Sequence, residues 1–220
     1  MNIFCKLGGN LTPSCTLKER PCASPSPWYG SWPKITTLTS LKGVNYRFIK
    51  DNDIIAIFKI LSKLYNESKG LEELFQYSWI QPPLYLSIEE KELIFFQSII
   101  DFFYSRTPKT VGQGFYHMLP NPQNHGAMKR LNMFLRWMVR KGPVDLGIWD
   151  FIKPNNLLIP LDVHVGRVSR EMGLLTRKNN DFRSVLELTE KLKEFCPEDP
   201  VKYDFAIFSY GIKSNLINNN

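Results

Sequence analysis

The chain has 220 residues, 43% of them hydrophobic and 13% aromatic, and 28 Lys and Arg against 21 Asp and Glu leave a net charge of +7. A chain this apolar buries enough surface to offset its ordering entropy, which excludes global disorder, and the lack of a Gly-X-Y period or sustained heptads excludes collagen-like and coiled-coil classes. The cationic excess points toward a polyanionic partner without naming one.

No run of residues reaches the roughly 18 uncharged apolar positions of a membrane span, and Met1 to Lys6 lacks the basic segment and long apolar stretch of a secretory signal. A soluble, cytoplasmic protein with no membrane partner is expected. Cys5, Cys15, Cys22 and Cys196 form no C-x-x-C pair, so reduced thiols are expected, with no metal and no cofactor.

Residues 1–42 are broken up by Pro13, Pro21, Pro25, Pro27 and Pro33 and read as an irregular Pro/Gly-rich arm, laid on the body through Trp28, Tyr29 and Trp32. Ile35 to Leu41 alone hints at a strand. Residues 43–220 read as one helical domain. Asp51 or Asp53 caps a helix with an apolar stripe of Ile54, Ile57, Phe58, Leu61 and Leu64, and Gly70 follows its end. A short helix over Leu71 to Trp79 stops before Pro82-Pro83. Ser87 and Glu90 form a capping box for a helix to about Tyr104. Pro108 to Gln123 reads as a long connection.

A helix over about Ala127 to Arg140 is stopped by Gly142-Pro143, and a short helix over Asp145 to Ile152 is ended by Pro154. Asp162 caps a helix to Met172, with Gly173 beyond it, and Asp181 caps one to about Phe195. Asp199-Pro200 supplies a cap and a first-turn proline for a last helix over Val201 to Ile212. The fold class expected is all-α.

Two segments carry candidate chemistry. From Met128 to Lys141 there are five cations and no anion: Lys129, Arg130, Arg136, Arg140 and Lys141. Leu131, Phe134, Leu135 and Met138 make the core stripe of this helix, while Lys129, Met133, Arg136 and Arg140 share another face. Arg136 and Arg140 are read either as phosphate ligands or as a solvated face. Lys129 lies in the first turn, where the helix dipole disfavours a cation, the condition a nucleophilic amine needs. In the second segment, Ile159 to Arg170, an Asp162 N-cap would remain ionised and rigidly held. That is equally the reading of an ordinary cap. Gly166 within the helix suggests close approach of a neighbour, and Arg167 and Arg170 are either phosphate ligands or solvated. His164 has no partner at metal-ligand spacing.

Pro160-Leu161-Asp162-Val163-His164-Val165-Gly166-Arg167-Val168 resembles the signature of the helix-hairpin-helix DNA glycosylase superfamily, the endonuclease III and 8-oxoguanine glycosylase relatives. In those enzymes the aspartate is the essential carboxylate, and a lysine opening the preceding major helix serves the members that also cut the strand. Lys129 matches that lysine, in an arrangement similar to the archaeal 8-oxoguanine glycosylases. Tyr203 to Gly211 resembles their closing helix.

Lys129 to Arg140, Ile159 to Arg167 and Pro197 to Phe205 are more similar still to an uncharacterised, mainly bacterial family, over roughly residues 43–213. The resemblance implies a helical bundle like the glycosylase fold, here without the further helices that precede Gly43 in family members. The superfamily's Leu-Pro-Gly-x-Gly hairpin is replaced by Asn124-His125-Gly126-Ala127, so its phosphate anchor is expected to be altered.

The function implied is that of a base-excision DNA glycosylase with β-lyase activity on a flipped nucleotide in damaged or abasic double-stranded DNA. Lys129 and Asp162 are the catalytic pair, and Arg136, Arg140, Lys141 and Arg167 the nucleic-acid ligands. Trp137, Phe115 and Tyr116 are candidates for contact with the base. The alternatives are a non-catalytic nucleic-acid-binding protein on the same scaffold and a module whose basic face meets an acidic protein.

Overall fold

The computed structural model describes residues 41–218, and their side chains through residue 212. The expected arm over 1–42 and the strand hinted over Ile35 to Leu41 lie outside the described residues, save residues 41 and 42. Eight α-helices follow in order: α1 (Asp51–Glu67), α2 (Leu71–Ile80), α3 (Ile88–Tyr104), α4 (Gln113–Met118), α5 (Lys129–Val139), α6 (Val163–Glu171), α7 (Phe182–Lys193) and α8 (Asp204–Asn218). The all-α expectation holds, with one two-stranded hairpin of β1 (Lys141–Gly142) and β2 (Asp145–Leu146) among the described residues. None of these helices is long and apolar enough to cross a membrane.

Local signals set most helix starts. Ser87 Oγ accepts from the Glu90 N–H and Glu90 Oε2 accepts from the Ser87 N–H at 2.9 Å, closing the capping box that opens α3. Asp162 caps α6 and Asp181 caps α7, the latter accepting from the Ser184 N–H at 2.9 Å. At α1 the carboxylate of Asp53 lies in the first turn, where it accepts from the Lys50 N–H at 3.0 Å and the Gly112 N–H at 2.6 Å, joining α1 to the start of α4.

One continuous core runs through the helices. Phe95 of α3, Phe134 of α5 and Trp149 meet around Phe75 of α2, with the Phe75 and Trp149 ring centroids 5.2 Å apart. Phe96, Ile99 and Ile100 are fully buried on α3, as are Phe182, Val185 and Leu188 on α7. The heaviest helix pairing is α6 on α8. Gly211 allows it, since a Cβ there would stand 3.1 Å from Val168 Cγ2 and 3.2 Å from His164 Cβ.

Three expectations need correction. Pro108 to Gln123 is not plain connection, because α4 lies within it and a 3-10 turn over Pro122–Asn124 overlaps its end. Asp145 to Ile152 is not helical. Gly142 pairs with Asp145 and Lys141 with Leu146, and the chain then supplies the Gly147 and Trp149 N–H groups to the Trp137 and Met138 carbonyls at 3.1 and 2.8 Å. The stretch that follows the hairpin thus satisfies the end of α5, where helix carbonyls lack internal partners. Finally, Asp199 makes no side-chain cap; Pro200–Tyr203 is a 3-10 turn, and α8 starts only at Asp204.

Candidate active site

Met128 precedes α5 in a left-handed conformation, with φ of 48°, which costs an L-residue roughly 1–2 kcal/mol. Its buried side chain, 3% exposed, anchors that turn in the core. Lys129 is therefore the first residue of α5, and Asp162 directly precedes α6, so two helix N-termini converge. The Lys129 ammonium donates to Asp162 Oδ2 at 2.8 Å, across 33 positions of chain. Asp162 Oδ1 accepts from the His164 and Val165 N–H groups at 2.9 and 2.8 Å. One carboxylate oxygen is committed to the helix and the other to the lysine.

Burial pushes the Asp162 carboxyl up, but the Lys129 hydrogen bond and charge and the two backbone donors outweigh it and hold the group below the ordinary aspartate value. The anion is the resting form. The ammonium, disfavoured by the positive end of its own helix, has its charge matched across the gap. Its Nζ also lies 5.7 Å from the Phe208 ring centroid.

The pair opens into a pocket of about 260 Å³ whose walls include Met133, Trp137, Phe205 and Phe208. Lys129 keeps 40% of its side chain exposed and Asp162 12%, so both are accessible. Arg136 and Asp204 line the pocket as well. They form a buried hydrogen-bonded pair, and Arg136 Nε also donates to Asp145 Oδ1 at 3.1 Å. Burial and the neighbouring Asp162 charge lift the Asp204 carboxyl to about 6, against the downward pull of Arg136 and Lys129. The pocket thus holds two carboxyl groups in opposite states of proton affinity, one kept ionised and one poised near neutrality.

Arg136 and Arg140 occupy neither of the roles expected of them. Arg136 is 6% exposed, and Arg140 donates to Asp145 Oδ2 and Asp199 Oδ2, both at 2.8 Å. Asp145, whose side chain is fully buried, bridges the two guanidiniums. These cations are neutralised within the fold instead of being presented to phosphate or solvent. Arg167 donates to Glu171 Oε1 at 2.7 Å and to the Gly211 carbonyl at 2.8 Å, tying α6 to α8. Arg170 donates to the Arg177 carbonyl at 2.7 Å and to Asn180 Oδ1 at 2.7 Å. Lys141 is exposed on β1.

Gly166 permits close approach of a side chain rather than a helix: a methyl group there would collide with Asn180 Oδ1. Asn180 Nδ2 in turn donates to the Asp162 carbonyl at 3.3 Å. Of the aromatic candidates, Trp137 reaches the pocket, Phe115 is wholly buried in the core, and Tyr116 stacks edge-on with Tyr104. The Asn124-His125-Gly126-Ala127 segment begins on the last residue of a 3-10 turn, has His125 left-handed at φ 51°, and is pinned to α7 by the Phe182 N–H donating to the His125 carbonyl at 2.8 Å.

Asp204, Phe205 and Phe208 are the site residues that sequence reasoning missed. Their signal was an acid in the first turn with aromatics one and four places on, a pattern that places all three on one side of α8.

A family model described as "Protein of unknown function (DUF2400)" matches residues 16–213. The chain belongs to the DUF2400 family. The matched span includes every residue of the pocket in this DUF2400 chain and extends upstream of Gly43. No curated protein and no solved structure matches it. Among the described residues no group of three or more His, Cys, Asp or Glu side chains is arranged to hold a metal ion.

Proposed function

We propose that this DUF2400 protein is a DNA glycosylase with β-lyase activity, acting on a nucleotide flipped into the pocket between α5, α6 and α8. The observation that carries the reading is the contact of Lys129 Nζ with Asp162 Oδ2, 2.8 Å long, at the rim of an accessible pocket. An amine and a fixed anion in one aromatic-lined recess are what displacement at an anomeric carbon requires: a nucleophile, and a negative charge facing the positive charge that develops on the sugar.

In the proposed reaction Lys129 first gives a proton to the Asp162 carboxylate already hydrogen-bonded to it. The neutral amine then forms a bond to C1′ as the bond from C1′ to the base breaks. The electron pair leaves with the base, which takes the proton from Asp162 and so returns that carboxylate to the anion facing the positive charge on the sugar. The second amine proton passes through Asp162 to the ring oxygen O4′ as the C1′–O4′ bond breaks, and the opened sugar is left as a Schiff base. Removal of a C2′ proton then expels the 3′ phosphate and cuts the strand. Asp204, with its carboxyl lifted to about 6, is a second proton acceptor in the same recess.

Borohydride trapping on duplex DNA with an abasic or damaged site tests the reading. A covalent protein–DNA adduct is expected with the native chain and none with Lys129→Gln. Binding without an adduct, insensitive to Asp162→Asn, would mark a non-catalytic DNA-binding protein. An adduct retained by Lys129→Gln would overturn the nucleophile.

A further inference from the structure

A second recess lies between α2, α3 and α7 and shares no lining residue with the Lys129 pocket. It measures about 280 Å³, and its walls are largely apolar, with Trp79, Leu84, Ile88, Phe95 and Leu158 among them. Glu92 of α3 also lines it. This side chain is 7% exposed and makes no hydrogen bond or salt bridge with any described residue. A buried carboxyl is ordinarily hydrogen-bonded or ion-paired. A position needing only bulk would be filled better by Leu or Met.

Two charged side chains share this recess with Glu92, Lys91 on α3 and Lys193 on α7, while the lining parts of the loop after α2 and of the Pro154–Asn156 turn bring none. Lys193 is the cation that acts on Glu92 through charge, but its Nζ is bound to Glu190 Oε1 at 2.6 Å. The carboxyl is therefore left unmatched. Trp79 and Phe95 stand edge to face beside it, centroids 5.3 Å apart, and aromatic faces attract cations and exclude anions.

We infer that this recess is a binding site for a small arylalkyl ammonium ion, the ammonium seated on the Glu92 carboxylate and the ring between Trp79, Phe95 and Leu158. The volume suits a single ring with a short chain, below the size of drug-like sites. Burial raises the free carboxyl to about 8, so the cation must displace a proton on entry, and that proton passes to the buffer.

The test is calorimetric titration of the full chain with phenethylammonium chloride at about pH 7, in phosphate and in Tris. Saturable one-to-one binding is expected, with an apparent enthalpy that differs between buffers by the heat of the released proton. Glu92→Gln, checked for native circular dichroism, is expected to bind at least about tenfold more weakly, as befits loss of a charge-assisted hydrogen bond. On the native chain, 3-phenylpropionate and 2-phenylethanol are controls of similar shape that need no variant to fold. Absence of saturation by about 10 mM amine, equal binding by Glu92→Gln, or binding of either control as tight as the amine would overturn the site.

Discussion

Asp162 has two jobs that chemistry can separate. Its Oδ1 satisfies the first N–H groups of α6, and its charge faces Lys129 through Oδ2. Asparagine keeps an acceptor at the cap and removes the charge; alanine removes both. Asp162→Asn is therefore expected to leave the denaturation midpoint nearly unchanged, while Asp162→Ala lowers stability by about 1 kcal/mol, the usual cost of a lost cap. Both are expected to abolish adduct formation. Urea titration beside the trapping assay checks this, and equal destabilisation by the two variants would show that the charge, not the cap, holds α6 in place. The exposed Lys129 ammonium is stranded equally in both, so the comparison isolates the cap.

Elements whose ends are settled by neighbours in sequence were legible, and those settled across the fold were not. The starts of α3, α6 and α7 rest on Ser87, Asp162 and Asp181 acting within three residues of themselves. The Lys129–Asp162 pairing was reached only through resemblance, since no local pattern links positions 33 apart. Asp145 shows why the hairpin was missed. Just after Gly142-Pro143 it looks like a helix cap, yet its carboxylate is taken by Arg136 and Arg140 from α5. The same long-range pairing hid the fate of both arginines, which from spacing alone looked like a ligand face. Removing the bridge should be costly, because two largely buried guanidiniums then lose a partner. Asp145→Ala is expected to destabilise the chain by about 3 kcal/mol, with Arg136 still held by Asp204 and Arg140 by Asp199. A midpoint shift in guanidinium chloride measures it. A loss below about 0.5 kcal/mol, the level of an ordinary surface substitution, would mean that the bridge is dispensable.

Across the described residues, the helical core carries ionisable groups pulled in opposite directions, and together they shape the response to pH. Arg177 and the Ser184 donors hold Asp181 down to about 2, and Asp162 is also depressed, so what these two contribute is present above the ordinary aspartate value and lost in acid. Glu92 works the other way. Burial lifts its carboxyl from 4.5 to about 8, so between those values the folded chain keeps a proton that the unfolded chain has released. Stability from this group is complete below pH 4.5 and drains away as pH rises toward 8. Asp204, raised from 3.8 to about 6, adds a fall in the same direction that ends earlier. Between about pH 6 and 8, where Asp204 has already titrated, the decline belongs to Glu92 among these shifted carboxyls. Glutamine cannot ionise there. The Tm of the ligand-free native chain is expected to drop from pH 6 to pH 8, and that of Glu92→Gln to drop much less, so that the variant's advantage grows with pH. Parallel profiles from scanning calorimetry would mean that the Glu92 carboxyl is solvated or paired in solution, and that the burial which places its titration near 8 is not realised.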